Sequence, residues 1–445
     1  MLLKKILLIG SGAREHAIAK AFKKSQHANQ LYCYASNYNP GIKELATDFV
    51  NDDLKNIAAI VDYAGHKQID FAIIGPELPL SLGIVDELAK RNIPSIGPTR
   101  KLAQIETSKG FTRDLLAKYC PQAIPRYQKF IDSKGVTEFL QKLGDNYVIK
   151  ADGLMGGKGV KVAGEQLTNH VAALDYCQQL HATGHKFVIE EKLIGQEFSL
   201  LSFTDGKNLA HMPIVQDHKR AFANDLGPNT GGMGSYSAAN HLLPFLNQED
   251  VKIAEQFNET TVTALHDEFK VPYKGILYGG FMLTKDGVKL IEYNARFGDP
   301  EVINLLALLT TDFIDICMAI IDNYLDKVDV QFAKQATVCK YLVPQGYPDE
   351  PIKDAPIDVS QVAAKENLYY AAVTGNDNTL YTTSSRTLAV LGIADNVLAA
   401  EAIAEKITQQ IQGQLFHRKD IGTAELVNQR IQQINNLCGT NYGFM

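Results

Sequence analysis

Paired cysteines are missing from this chain of 445 residues. Its six cysteines, Cys33, Cys120, Cys177, Cys317, Cys339 and Cys438, lie scattered, with no Cys-x-x-Cys spacing. That excludes a disulfide framework and a cysteine-built zinc site, and it fits a reducing compartment. An excess of positive charge is also missing. The net charge of −6 argues against a general affinity for nucleic acid, local basic patches aside. No apolar run approaches the length of a bilayer span, and the run at residues 6–9 is too short for the core of a signal peptide. Internal repeats and low-complexity tracts are absent too. A cytoplasmic protein is expected, with neither a membrane nor a nucleic-acid partner.

What is present describes an ordinary globular chain, 45% hydrophobic and 21% charged, long enough for roughly three domains. Apolar runs at 6–9, 31–35, 71–74 and 95–96 alternate with helical patterns at 14–24, 53–63 and 81–91. Strand and helix joined by short connections predict an open parallel α/β sheet over residues 1–100. From 101 to 325 the pattern changes. A helix at 108–119 leads into β-rich runs at 126–130, 147–151, 160–163, 187–193 and 198–203, with helical stretches near 136–143 and 167–181. The glycine-rich stretch 221–237 is expected to lack regular structure and to serve function. A helix at 249–269, a hairpin and one apolar helix at 301–324 follow. Runs at 336–343, 368–374 and 387–393, with a helix near 396–412, predict a smaller mixed α/β domain over 326–445.

The hairpin carries the most chemistry. Asp286-Gly287 between two apolar runs signals a tight turn. On the second strand a period of two places Leu290, Glu292, Asn294 and Arg296 on one face, about 6.5 Å apart at roughly 3.3 Å per residue. A carboxylate and an amide oxygen there suit Mg²⁺, and Arg296 can grip an oxyanion. Ordinary surface pairs are the competing reading.

Gly10-Ser11-Gly12-Ala13-Arg14-Glu15 sits where a strand turns into a helix, a favourable place for an anion. The third glycine of a dinucleotide fingerprint is missing, because Glu15 holds its place, and no acidic residue follows Tyr34. A single phosphate on a smaller ligand fits better, and a turn without a ligand remains open. Lys150-Ala151-Asp152-Gly153 runs into Gly156-Gly157-Lys158-Gly159. This is not a Walker loop, yet such a glycine hairpin can close over phosphates. Glu190, Glu191, Leu193 and Glu197 place acidic groups and a backbone edge where adenine and ribose could bind, or simply form a solvated strand end. Gln216-Asp217-His218-Lys219-Arg220 sets one carboxylate among three potential cations, as anionic-substrate sites and plain surfaces both do.

Together these segments resemble the ATP-grasp superfamily and, within it, the glycinamide ribonucleotide synthetase family, along almost the whole chain. The most specific matches are Gln216-Asp217-His218-Lys219-Arg220, the run from Gly227 to Gly234, the run from Asn294 to Glu301, and Arg418-Lys419-Asp420-Ile421-Gly422. Arg14-Glu15-His16, Gly75-Pro76-Glu77, Gly97-Pro98-Thr99, Ser108-Lys109 and Lys150-Ala151-Asp152-Gly153 support them. The resemblance implies a central ATP-grasp domain with a mobile lid near 121–190. It implies ligation of glycine to 5-phosphoribosylamine with ATP and Mg²⁺ or Mn²⁺, through glycyl phosphate, in a monomer or weak dimer.

By the same resemblance Glu292 and Asn294 hold the metal. Lys109, Lys150 and the lid residues Gly156, Gly157 and Lys158 meet phosphates, and Glu190, Glu191, Leu193 and Glu197 form the nucleotide pocket. Arg296, Lys150, Asp217 and Lys219 are the catalytic candidates. Gly12, Arg14, Glu15, Glu77, Asp217, His218, Arg220, Asn229, Thr230, Gly231, Arg296 and Asp299 are the substrate candidates. The chain departs from the family pattern at Ala13, from Ala35 to Gly41, from Gln345 to Pro348 and at Ser384-Ser385-Arg386. The strand opposite Glu292 offers no second carboxylate.

Overall fold

The protein is described by a computed structural model covering residues 3–155, 159–376 and 379–443. Its N-terminal sheet is parallel throughout. The strands run in the order Asp48–Asn51, Asn29–Ala35, Lys4–Ile9, Phe71–Ile74, Ser95–Ile96. Ile6, Leu7, Leu8 and Ile9 are fully buried, as strands covered on both faces require. The edge strand Asp48–Asn51 is half-exposed and was not expected. The helix expected at 81–91 is two, Glu77–Leu82 and Ile84–Ala89, broken at Gly83, whose φ of +88° is left-handed.

Two antiparallel sheets make the central region. One orders Leu209–His211, Gly195–Thr204, Gly275–Thr284 and Gly287–Asn294. The other orders Tyr127–Phe130, Phe187–Glu191, Tyr147–Ala151 and Val160–Val162. The second sheet packs on the helices Val136–Leu143 and His170–Ala182 around a hydrophobic core of its own, separate from the main one.

A third sheet joins distant parts of the chain. Gln216–Asp217 pairs with Gly234–Ser237, which pairs with Ala336–Pro344, and the sheet continues through Leu388–Ala394 to Leu368–Tyr370. The glycine-rich stretch expected to be irregular therefore holds short strands, including the pair Arg220–Phe222 and Leu226–Asn229. The apolar helix expected at 301–324 is also broken, into Glu301–Leu308 and Phe313–Asp322. Thr310 and Thr311 hydrogen-bond the Gln331 carbonyl, and the Asp312 side chain caps the second helix by accepting from Ile314 N at 2.9 Å. A C-terminal helix, Ala424–Cys438, completes the chain beyond the last expected element.

Candidate active site

The hairpin departs from simple alternation at one residue. Gly280 pairs with Glu292 and Phe281 with Leu290, so Ile291 is a β-bulge. The extra residue shifts the face. Val288, Leu290 and Tyr293 point into the core, while Glu292 and Asn294 share the opposite face. Leu290 therefore does not stand with the two polar residues as expected. The bulge also frees the Ile291 carbonyl, which accepts from Arg113 Nη2 at 2.6 Å and from Lys150 Nζ at 3.4 Å.

Lys150 is buried, with Nζ 2.7 Å from Glu190 Oε2. Arg113 grips the same carboxylate in a fork, at 2.8 and 2.9 Å. Burial pushes the Glu190 carboxyl up, but Arg113 and Lys150 pull it down to about 2. Burial also lowers the Lys150 ammonium, against the pull of Glu190. Glu190, expected to face the nucleotide, is thus committed to two buried cations. Arg113 escaped the sequence reading, since one arginine in a helix carries no pattern.

Lys109 opens the helix Lys109–Tyr119, and its Nζ donates to the Gly153 carbonyl at 3.2 Å. Asp152 accepts from Ser108 Oγ and Gly110 N, both at 3.2 Å, which ties the glycine loop to the helix start. Gly156, Gly157 and Lys158 lie outside the described residues. Glu191 is forked by Arg126 at 3.0 Å in both bonds. Leu193 lies half-buried between the strands Phe187–Glu191 and Gly195–Thr204. Glu197 accepts from Lys219 Nζ at 2.9 Å.

Four cations converge on Glu292. Burial pushes its carboxyl up, but Lys219, Lys109, Lys150 and Arg296 together hold it below the usual carboxylate range. Burial works against the Lys219 ammonium, yet Glu197, Glu292 and Asp217 raise it overall. Arg296 donates to Asn294 Oδ1 at 3.3 Å and lies 2.8 Å from Glu106 and 3.4 Å from Glu77. Glu106 also accepts from Ala295 N at 2.8 Å. Burial raises its carboxyl despite the neighbouring Arg296. Glu77 ends lowered, because Arg296 and Arg14 outweigh its burial.

On the other side of the cleft the first glycine turn meets the loop after the hairpin. Arg14 donates to the Phe297 carbonyl at 3.3 Å and to Glu15 Oε1 at 2.6 Å. Glu15 is 2% exposed, and its other oxygen accepts the Gly12 N–H at 2.5 Å. A Cβ at Gly75 would stand 1.9 Å from Glu15, so the strand end closes directly over it. Glu15, expected among the substrate residues, thus braces the turn from inside. A Cβ at Gly12 would stand 3.8 Å from Asp299 Oδ2, which places that aspartate against the turn.

Asp299 accepts from Tyr341 Oη at 2.6 Å and pairs with Arg386 at 3.0 Å. Arg386 also donates to the carbonyls of Gly231, Gly232 and Asp299 at 2.7, 2.9 and 3.0 Å, and lies over the Tyr341 ring. One side chain thus binds three segments. The sequence reading met Arg386 only inside the altered Ser384-Ser385-Arg386, although the retained arginine was the available signal.

Asp217 faces the turn at Gly232 and Pro300, and its Oδ1 accepts from His218 N at 2.7 Å. Burial and the charge of Glu301 push its carboxyl well up. Glu301 is itself buried and accepts from Tyr278 Oη at 2.6 Å. His218 is 2% exposed with both ring nitrogens unpartnered, so the structure does not bring it to the cleft. Arg220 donates to the Gly227 carbonyl at 3.0 Å and pairs with Glu165. Thr230 donates to the Lys219 carbonyl at 2.8 Å, and Asn229 is exposed.

Three family models match this chain: phosphoribosylglycinamide synthetase N domain at residues 4–106, its ATP-grasp (A) domain at 107–302 and its C domain at 337–424. The phosphoribosylamine–glycine ligase of Methanosarcina barkeri is 47% identical over 435 residues, covering 98% of this chain and 100% of the relative. The crystal structure of the Thermotoga maritima phosphoribosylamine–glycine ligase superposes with a TM-score of 0.75 at 27% identity, covering 94% of this chain and all of that one. The biotin carboxylase domain of the Hydrogenobacter thermophilus 2-oxoglutarate carboxylase, solved with MgADP and bicarbonate, shares the fold at 14% identity and a TM-score of 0.70, over 99% and 96% of the two chains.

Proposed function

The chain belongs to the phosphoribosylglycinamide synthetase family, and from that premise we propose that it joins glycine to 5-phosphoribosylamine, consuming ATP and giving glycinamide ribonucleotide, ADP and phosphate. The observation that carries this reading is that Lys219, Lys109, Lys150 and Arg296 all lie within electrostatic reach of Glu292, on the strand face it shares with Asn294. A carboxylate is a poor electrophile, and phosphorylating it creates a leaving group. Phosphoryl transfer asks the protein mainly for positioning and charge neutralisation. That ring of cations supplies both.

Glu292 and Asn294 are the residues that would hold Mg²⁺ or Mn²⁺. Their donor set, one ionised carboxylate and one amide oxygen on a shared strand face, fits an ion that leaves its other positions to phosphate and water. When bound, the ion would supply positive charge against the phosphates of ATP. Lys109 and Lys150 take phosphate oxygens, and Lys150 is aimed by Glu190. Glu191, Leu193 and Glu197 edge the nucleotide pocket, under a lid of about residues 121–190. Arg296, its direction fixed by Glu106 and Glu77, takes the glycine carboxylate or the transferring phosphoryl group. Lys219 stands between the two halves of the site. Gly12, Arg14, Asp299 and the turn at Thr230 and Gly231 line the acceptor side. Asp217, against the Gly232 turn, is the candidate to accept the proton that the amine loses.

ADP release is the direct test. ATP, glycine and freshly generated phosphoribosylamine together should give turnover, and omission of either glycine or the amine should abolish net product. ADP formation that ignores both would remove the assignment.

A further inference from the structure

The segment from Asp217 to Gly232 carries groups for both halves of the proposed reaction, yet its anchors come from the far end of the chain. Arg418, its side chain 1% exposed, forks Asp420 at 3.0 and 2.6 Å. Its Nη1 donates to Asp225 Oδ1 at 2.9 Å and to the Arg220 carbonyl at 3.2 Å. Arg430, on the helix Ala424–Cys438, pairs with the other Asp225 oxygen. Asp420 accepts from Asn224 N at 3.0 Å, and the rings of Phe222 and Phe416 lie 6.0 Å apart. Asn224 and Asp225 are both left-handed, with φ of +59° and +55°. Two such residues in succession are a conformation that the surroundings must impose.

We propose that Arg418 and Arg430 are positioning residues for the ligation. They act through Asp225 and the Arg220 backbone to set where Asp217 and Lys219 stand relative to Glu292. The inference rests on the functional reading above. Two buried arginines held by two half-buried aspartates are a poor source of stability, since apolar side chains of equal volume often serve as well or better. What it provides is direction, because a guanidinium fork fixes angle as well as distance. The anchored stretch follows Lys219 directly, and Lys219 is paired with Glu197 and raised by Glu292. Behind it the His218 ring faces Tyr236, at 5.9 Å between centroids. Burial and the charges of Arg430 and Arg418 press that imidazole down to about 3, against Asp225 and Asp420. The imidazole next to Lys219 thus stays neutral, and the clamp around it sets its place.

Asp225→Asn is the decisive variant, because asparagine tolerates the left-handed backbone and keeps the volume while losing the charge. kcat/KM for phosphoribosylamine should fall about tenfold, the scale of a lost hydrogen bond to a charged group, while KM for ATP stays within about twofold. Arg418→Ala should show the same split more strongly, and Arg418→Lys should restore only part of it, since lysine keeps the charge without the fork. Amide hydrogen exchange of the ligand-free protein gives a readout independent of turnover. Exchange across 217–232 should quicken in Asp225→Asn while the hairpin 275–294 stays unchanged. If the unaltered protein shows no ligation, the functional reading fails and the exchange pattern still decides the clamp. Equal losses for ATP and amine, or exchange identical to that of the unaltered protein, would overturn the proposal.

Discussion

Lys150 and Glu190 stand one diagonal step apart on adjacent antiparallel strands, with Nζ 2.7 Å from Oε2, and both are nearly solvent-free. The pair explains how a lysine on the strand Tyr147–Ala151 keeps a fixed direction. Glu190 aims it from below, and the bulge carbonyl of Ile291 receives it at the hairpin.

Replacing Glu190 by Gln should therefore strand two buried cations and destabilise the protein by about 3–5 kcal/mol near neutral pH. The Glu190 carboxyl is depressed to about 2 from an ordinary 4.5, so its stabilisation is full above 4.5 and fades as pH falls toward 2. The gap in thermal midpoint between parent and variant should narrow across that acid range. A gap independent of pH would mean that the carboxylate charge is not what stabilises.

Glu292→Ala should lower kcat by about 10²-fold or more, the loss typical of one electrostatic stabiliser. The far-UV circular dichroism should stay unchanged, because the residue lies off the core face. The parent's Mg²⁺ dependence should be flat between about pH 6 and 8, since the depressed carboxyl stays ionised throughout that range. Steady-state rates across Mg²⁺ concentrations check both statements, and near-normal activity of the variant at low Mg²⁺ would remove the metal assignment.

Arg386→Ala removes the donor shared by the Gly231, Gly232 and Asp299 carbonyls. KM for phosphoribosylamine should rise about tenfold, with a smaller change for ATP. Arg386→Lys should remain impaired, because one ammonium cannot serve the three carbonyls from one nitrogen and the Asp299 carboxylate from another while lying flat over the Tyr341 ring. Varying each substrate in turn against both variants provides the check.

The parallel sheet was legible because buried strands read as short apolar runs separated by amphipathic helices. The hairpin was legible from Asp286-Gly287. The bulge was not, since one extra residue at Ile291 leaves the apolar pattern looking continuous while reversing the face of Leu290. The strands Gln216–Asp217 and Gly234–Ser237 were hidden for another reason. Their ladder is completed by Ala336–Pro344, about a hundred residues away, and local sequence cannot register a partner at that distance. The charged residues of the cleft could be named one by one, but their partners could not. Glu106 under Arg296, Glu301 beside Asp217 and Arg113 on Glu190 are fixed by tertiary packing alone.

The proposed ligation requires that glycine be activated as an acyl phosphate before the amine attacks. Holding the carboxylate and the γ-phosphate side by side makes the first displacement effectively intramolecular, which can remove roughly 7–11 kcal/mol of barrier. Glycine labelled with ¹⁸O in both carboxylate oxygens should pass one labelled oxygen to the released phosphate and keep the other in the amide product. Phosphate free of label, formed alongside glycinamide ribonucleotide, would contradict the account.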